Sequence, residues 1–367
     1  MKRAVGFSVL ELLIALGLGL LVVAGVVQLF VGNSRTYEVV NAQARLQENA
    51  RFAFDFITEA ARSAGYFGCA PDDDNIARQV NGPWNIIPEF DMTVPVRGWE
   101  AVGDGTWTPD DLIFLPRSTG GVDTFVHQAG NGIDRDELEE APESDVIVFR
   151  SAEQPLARLN ATLQPDGDPV VSTPGGVPSF NVGDIVFVAD CEQAALFNVT
   201  AVAVGGGGDT ATLSHAVGAA DPFDNGVDIT TASGDIIPAT LSVVGRSYGR
   251  ESKVARVVST FFFIAPSTQA DNQGDDVNAL WQKAGINAPV ELVQGIEQMD
   301  VLYGIDTTAG DGPNVNRYVT ANLVGANDIV AVRVTLRVSS VDTLAENDGE
   351  RLERTFTKTI QLRNMGV

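Results

Sequence analysis

The longest apolar run of the chain lies at its N-terminus and limits what the rest can be. From Phe7 to Val31 the sequence carries one ionisable side chain, Glu11. At about 1.5 Å per residue, a helix of that length rises roughly 37 Å, enough to cross a hydrocarbon core of about 30 Å. Lys2 and Arg3 precede the run, and no basic residue follows before Arg35. The positive-inside rule therefore predicts a cytoplasmic N-terminus.

The length of this run argues against an ordinary secretory signal, whose apolar region is shorter and ends at a small-x-small cleavage site. Ala24-Gly25 imitates such a site, but it falls inside continuing apolar sequence. On hydropathy alone, an uncleaved single-pass anchor is the simplest interpretation.

Glu11 favours a second interpretation, because a carboxylate near the bilayer centre costs about 2.5 to 3.5 kcal/mol and is usually functional. If the chain were cut between Gly6 and Phe7, the new α-ammonium would lie one helical turn from this carboxylate, or near that of a neighbouring subunit. The alternative is a carboxylate that snorkels to the cytoplasmic interface.

The segment Gly6-Phe7-Ser8-Val9-Leu10-Glu11, after a short basic leader and before an apolar helix, resembles the type IV prepilin signal. The resemblance implies cleavage by a prepilin peptidase after Gly6, N-methylation of Phe7, and Glu11 as the assembly carboxylate. The expected fold class is α+β: a long N-terminal helix followed by a β-rich, pilin-like head. The expected segments are a leader (1–6), a transmembrane and assembly helix (7–31), an amphipathic continuation (32–66) and an extracytoplasmic head (67–367).

The helix is predicted to continue beyond the membrane, because small and apolar residues recur at helical spacing on one face: Leu46, Ala50, Ala53, Ile57, Ala60 and Ala64. No proline occurs from Phe7 to Tyr66, and Gly65 suits a left-handed cap at the helix end. Four glycines interrupt the apolar part and weaken a helix by about 1 kcal/mol each relative to alanine. They allow local melting or close packing of neighbouring helices: Gly17, Gly19, Gly25 and Gly32.

The head is predicted to be mostly β-strand, since short β-branched runs alternate with turn residues. The clearest strand is Ile329–Val338, which alternates apolar and polar residues and can pair with Thr355–Leu362 across a polar loop at Asp342–Arg351. Gly205–Gly208 predicts a hairpin tip. Further strands are expected at Asp145–Phe149, Asp184–Val188, Phe197–Val202, Thr210–Leu213, Ala255–Ile264 and Ile296–Tyr303.

The sequence contains no strong enzyme or metal signature, so neither a catalytic role nor a cofactor is expected. His127 and His215 are the two histidines, and Ser214 beside His215 makes a poor nucleophile–base pair because neighbouring strand residues face opposite ways. The acidic runs Asp72–Asp74, Asp166–Asp168 and Asp271–Asp276 carry oxygen ligands suited to calcium, but solvated loops are the favoured interpretation. A net charge of −24 argues against nucleic-acid binding.

Several short segments of the head carry a second resemblance: Gly65–Cys69, Gly183–Cys191 with Phe197–Thr200, and Val293–Glu297 with Leu302–Asp306. In these segments the chain resembles the PilW-type minor pilins of type IV pili. Because the expected topology places Cys69 and Cys191 outside the cytoplasm, where oxidation persists, a disulfide between them is predicted. Two buried free thiols are the alternative.

The resemblance implies a minor pilin that helps prime fibre assembly and lies at or near the tip. The expected partners are other minor pilins, the major pilin, a tip adhesin, the prepilin peptidase and the inner-membrane assembly platform, with roles in cell adhesion and twitching motility. Before assembly the chain is expected in the inner membrane, and afterwards in the fibre at the cell surface. The alternatives are a minor pseudopilin of a type II secretion system, and a membrane-anchored extracellular binding module or hydrolase.

Overall fold

The computed structural model shows one long helix followed by a β-rich head, which confirms the predicted α+β class. The residues that it describes are 8–68, 76–78, 94–103, 106–108, 114–115, 124–125, 133–134, 144–154, 156–164, 167–172, 180–192, 194–216, 225, 229–230, 236–237, 247–285, 287–308, 314–325, 328–344 and 349–364.

Helix α1 runs from Val9 to Ser63 without a break, including across the glycines of its apolar part. Ala64 is its C-cap, and Gly65 follows with a φ of 75°, as the sequence predicts. The Gly65 N–H donates to the carbonyl oxygen of Arg150, at 2.9 Å, so a strand of the head supplies the hydrogen bond at the helix end. The predicted continuation to residue 66 is therefore about three residues too long.

Within the described residues the helix is followed by twenty-two strands, most of them short. They are β1 (Ile76–Arg78), β2 (Val96–Gly103), β3 (Thr106–Thr108), β4 (Phe114–Leu115), β5 (Thr124–Phe125), β6 (Ile133–Asp134), β7 (Val146–Ala152), β8 (Ala157–Leu159), β9 (Val170–Ser172), β10 (Ile185–Ala189), β11 (Ala194–Asn198), β12 (Ala201–Val204), β13 (Ala211–Ser214), β14 (Ile229–Thr230), β15 (Ile236–Ile237), β16 (Lys253–Pro266), β17 (Asn278–Ala284), β18 (Val290–Gln294), β19 (Ile296–Asp306), β20 (Arg317–Val319), β21 (Asp328–Ser339) and β22 (Glu353–Gln361). A 3₁₀ turn, Ala321–Leu323, lies between β20 and β21.

Two large sheets form the head. The first has thirteen strands. Eight of them follow the order β1-β11-β10-β16-β8-β9-β13-β12; β16 also pairs with β17, which pairs with β18, and with β7, which pairs with β2 and through it with β3. The second has the order β20-β19-β21-β22 and is antiparallel throughout. The strands β4 to β6 form a small three-stranded sheet, and β14 and β15 form a two-stranded one.

Strand β16 is shared by two lobes of the head. Its first residues pair with β8 and β10, and from Val257 onward it pairs with β7 and then β17. We call the strands β8 to β13, which lie between β7 and β16 in the chain, together with residues 253–256 of β16, the inserted lobe. We call β2, β3, β7 and the strands from Val257 onward the helix-proximal lobe. The inserted lobe has a separate apolar core around Val186, Phe197 and Val254.

The second half of α1 packs on the helix-proximal lobe. Leu46, Ala50, Ala53 and Ile57 of the predicted stripe are buried in one core with the inward side chains of β19, β21 and β22. Ala60 is half-buried, and the buried face is wider than predicted because Phe54, Thr58 and Ala61 also belong to it. Polar contacts hold the two ends of this packed segment: Asn49 Nδ2 donates to Gln294 O at 3.0 Å, and Asn364 Nδ2 donates to Ala64 O at 3.0 Å.

The predicted strands are confirmed with one exception. The pairing of β21 with β22 has the expected register, Ala331 opposite Gln361 and Ser339 opposite Glu353, and Gly205–Gly208 lie in the β12–β13 hairpin connection. The predicted strand Phe197–Val202 is wrong, because it is split into β11 and β12. The split occurs where the Val199 N–H donates to Asp184 O and the Thr200 N–H donates to Ser214 O. The chain therefore pairs with β10 before this point, as β11, and with β13 after it, as β12.

Candidate functional site

The first half of α1 lies outside the head and is covered by nothing in the described chain. Every residue from Ser8 to Glu38 is exposed, so this part extends roughly 46 Å at about 1.5 Å per residue. It is the one helix, within the described residues, that is long and apolar enough to cross a membrane. The exposed large apolar side chains include Leu10, Leu13, Leu16, Leu20, Val23, Val27 and Phe30.

A surface of this kind is unfavourable in water, because apolar area costs about 25 cal/mol per Å² when it stays solvated. Contiguous apolar patches far larger than those of soluble monomers mark membrane or protein contacts. The helix therefore has to be covered by lipid, by other helices, or by each in turn.

The glycines of this segment leave its surface open. A Cβ added at Gly17, Gly19, Gly25 or Gly32 would meet no atom within 4 Å, and the helix is continuous through all four positions. The helix is therefore not melted at these glycines in this structure. Because glycine has no side chain, each of the four positions leaves a shallow groove in which a neighbouring helix can pack closely.

Ser8 and Glu11 are brought together at the start of the helix. Ser8 is the N-cap: its Oγ accepts the Glu11 N–H at 3.2 Å, and Glu11 Oε2 accepts the Ser8 N–H at 3.0 Å. This reciprocal capping box turns the carboxylate back toward the N-terminal end of the helix. Gly6 and Phe7, the predicted cleavage and methylation positions, lie outside the described residues.

The sequence interpretation missed the role of Ser8, although a signal for it was present. A serine three residues before a glutamate, at the start of an apolar helical run, is the usual pattern of a capping box. The bonding of Ser8 satisfies two orphan N–H groups, and it fixes where the Glu11 carboxylate lies.

The candidate catalytic pair of the head is engaged in other contacts. Ser214 Oγ donates to Asp168 Oδ2 at 2.6 Å, while the buried ring of His215 has its Nε2 3.1 Å from Gly167 O and packs on Phe197. The second histidine, His127, lies outside the described residues.

The acidic run Asp271–Asp276 is used for internal bonding. Asp271 Oδ2 pairs with Arg351 Nη2 at 2.9 Å, and its Oδ1 accepts the N–H groups of Gln273 and Asp275. The hydrogen bond from Arg351 lowers the pKa of Asp271 to about 2. No group of three or more metal-ligating side chains occurs within the described ranges. The run Asp72–Asp74 and Asp166 lie outside them.

Several of the strands that pack on the helix lie in a region that is similar to a known protein family. Residues 261–351 match the family model of PilW, the Type IV Pilus-assembly protein W. The match begins within β16, where that strand enters the helix-proximal lobe, and it continues through β17 to β21 as far as Arg351. It supports a PilW-type type IV pilus protein. Comparison with curated proteins and with solved structures gave no significant match.

The PilW match covers part of the helix-proximal lobe and none of the inserted lobe. It contains the segments Val293–Glu297 and Leu302–Asp306, which the sequence interpretation had related to this family, and it stops short of the segments at Gly65–Cys69 and Gly183–Thr200. The inserted lobe thus lies outside the matched region.

Proposed function

We propose that this chain is a minor pilin that helps prime assembly of a type IV pilus and lies at or near the fibre tip. The observation that carries the proposal is the combination of an uncovered apolar helix, a carboxylate at its start, and a packing platform for that helix that matches PilW. Its partners are the major pilin, other minor pilins, a tip adhesin and the assembly platform. The PilW match favours this function over a minor pseudopilin of a type II secretion system.

The proposed pathway begins in the inner membrane, with the N-terminus in the cytoplasm. A prepilin peptidase cuts after Gly6, Phe7 is N-methylated, and the helix then leaves the lipid for a bundle of neighbouring helices in the fibre at the cell surface. The new ammonium group of one subunit pairs with a Glu11 carboxylate during docking. The function is structural, without a catalytic step.

The test is the Glu11→Ala substitution in the full chain. Removing a carboxylate from the apolar segment favours membrane insertion, because a charge in hydrocarbon is unfavourable. Docking should suffer, because an ammonium buried without its partner costs several kcal/mol. We expect an unchanged membrane level, an unchanged mature N-terminal mass and reduced abundance in sheared pili.

Glu38→Ala is the matched control, since it removes an exposed carboxylate from the same helix beyond the apolar run. This variant should enter pili like the wild type. Normal incorporation of Glu11→Ala would contradict the proposed docking role, and a mature wild-type chain that still begins at Met1 would contradict processing.

A further inference from the structure

Strand β22 forms one edge of the four-stranded sheet on which α1 packs. It pairs with β21 from Glu353 to Gln361 without a register shift, and no strand of the described chain pairs with its other side. Its nine residues, at about 3.4 Å each, make an edge roughly 30 Å long. The opposite edge of the same sheet, β20, has three residues. The sheet is therefore open to a further strand on the side of β22.

The hydrogen-bond register shows which backbone groups of β22 point outward. The Leu362 N–H donates to Val330 O at 3.0 Å, and the Ser340 N–H donates to Leu352 O at 2.8 Å. Because bonded and non-bonded pairs alternate in an antiparallel ladder, the even-numbered residues of β22 bond to β21. The backbone groups of the odd-numbered residues then face solvent. These exposed residues are Glu353, Thr355, Thr357, Thr359 and Gln361.

The usual protections against strand pairing are missing from this edge. Natural edge strands are short, bulged, interrupted by proline or guarded by lysine. β22 contains no proline and no bulge. Its one lysine, Lys358, lies on the face that carries α1, with Nζ 3.8 Å from Asp55 Oδ1 and 5.8 Å from the centre of the Phe54 ring. The side chain is thus engaged with the helix, and the outward backbone groups stay accessible.

The charge beside the edge selects the kind of strand that fits. Strands β21 and β22 carry four basic and two acidic side chains, whereas the whole chain carries 24 basic and 48 acidic ones. Arg337 and Arg354 are exposed, and neither forms an ion pair within the described residues. Since Val338 lies opposite Arg354, the two arginines sit on opposite faces at one end of the edge. Carboxylates on either face of an incoming strand would have a cation nearby.

We propose that the outer edge of β22 binds an extended, acidic segment of another protein, which joins the sheet as a fifth strand. Backbone hydrogen bonds to the outward groups supply affinity, and the arginines favour a negatively charged strand. A second β22 is disfavoured in this place because it would bring further cations to the edge. β22 follows the region that matches PilW, and its edge does not depend on the role proposed for α1.

The test measures binding of a fluorescently labelled peptide of valine–glutamate repeats to the full chain in detergent micelles. Fluorescence anisotropy should show saturable binding that weakens as salt rises, because the charged contacts are exposed. Two control peptides have the same length: one has lysine in place of glutamate, and one has proline at two central positions and cannot pair as a strand. Both should bind at least about tenfold more weakly.

Thr357→Pro tests the backbone bonds from the protein side. It removes an outward N–H at the centre of the edge and leaves the bonds to β21 in place, since proline is tolerated on edge strands when its nitrogen faces solvent. Thr357→Val is the matched control: both variants lose the hydroxyl contact with Thr335 Oγ1, at 3.1 Å, but valine keeps the N–H. The proline variant should bind the peptide about tenfold more weakly, and the valine variant like the wild type.

Arg337→Gln combined with Arg354→Gln tests the charge. The double variant should bind the peptide several-fold more weakly and with a smaller salt dependence. Arg317→Gln is the control, because Arg317 is an exposed arginine at the start of β20, on the opposite edge of the sheet. It should bind like the wild type.

Hydrogen exchange gives a second readout, in which the bound peptide should protect amides of segment 353–361 and leave those of 317–319 unchanged. Absence of binding, equal binding of Thr357→Pro, or equal binding of the lysine peptide would overturn the proposal. Self-association that Thr357→Pro abolishes would overturn it too, by assigning the edge to a second copy of the chain. Because the proline peptide leaves the protein unaltered, the proposal stays testable if Thr357→Pro does not fold.

Discussion

Gly295 shows how a single residue determines the connection between β18 and β19. Its φ is 75°, and an added Cβ would lie 2.5 Å from the carbonyl oxygen of Ser339. The glycine also donates to Asn278 O and accepts from Ser339 N–H, both at 2.8 Å. The ends of β17, β18, β19 and β21 therefore meet at a position with no room for a side chain.

Gly295→Ala should lower the free energy of unfolding by more than the cost of a left-handed residue alone, which is about 1 to 2 kcal/mol. Gly274→Ala is the matched control, because Gly274 has a φ of 92° and open space around its missing Cβ. Thermal or chemical denaturation compares the two variants. Equal losses would show that the strand ends yield to a methyl group and that only backbone strain matters.

At the scale of elements, α1 is one helix with two environments. Its first half has no described neighbour, while its second half lies against β19, β21 and β22 with alanines at the contact. Alanine permits this close approach of helix and sheet. Leucine has nearly the same helix propensity, so a change from alanine to leucine tests packing and leaves helix formation almost unaffected.

Ala53→Leu should destabilise the packed segment by about 1 to 3 kcal/mol, because Ala53 is fully buried between helix and sheet and added methylene groups overpack a well-packed core. Ala44→Leu is the control at an exposed position of the same helix and should be nearly neutral. The unfolding midpoint of the head, measured in detergent, distinguishes them. A neutral Ala53→Leu would mean that the helix shifts freely on the sheet.

At the scale of the whole molecule, the predicted disulfide would join the end of α1 to the inserted lobe. Cys69 lies outside the described residues, and Cys191 follows β10. Their described neighbours are close: a Cβ at Gly68 would lie 3.9 Å from Lys253 Cγ, and Lys253 pairs with Ala189. This proximity supports the pairing, which remains a prediction.

A bridge between Cys69 and Cys191 closes a loop on the order of 100 residues and stabilises the fold by up to about 4.7 kcal/mol in the chain-entropy estimate. We expect both cysteines to resist alkylation in protein taken from the periplasm or the fibre until a reductant is added. Full alkylation of both under denaturing conditions without reductant would rule the bridge out.

The sequence alone determined the features that depend on local order. The length of the N-terminal apolar run predicted the exposed helix, and the stripe of small and apolar residues predicted which face of its second half is buried. The strict alternation of apolar and polar residues predicted β21. These signals are readable because each arises from residues within a few turns or a few strand positions of one another.

Tertiary structure decided what depends on distant partners. The division of β16 between two lobes, the break at Val199 and Thr200, and the burial of Asp145 all arise from strands far apart in the chain. An aspartate before an apolar strand looks like an ordinary exposed strand end in sequence. Only the arrival of β2 and β19 on either side buries Asp145 and brings the N–H groups of Ala101 and Val301 to its two oxygens, so that this carboxylate bridges the two sheets.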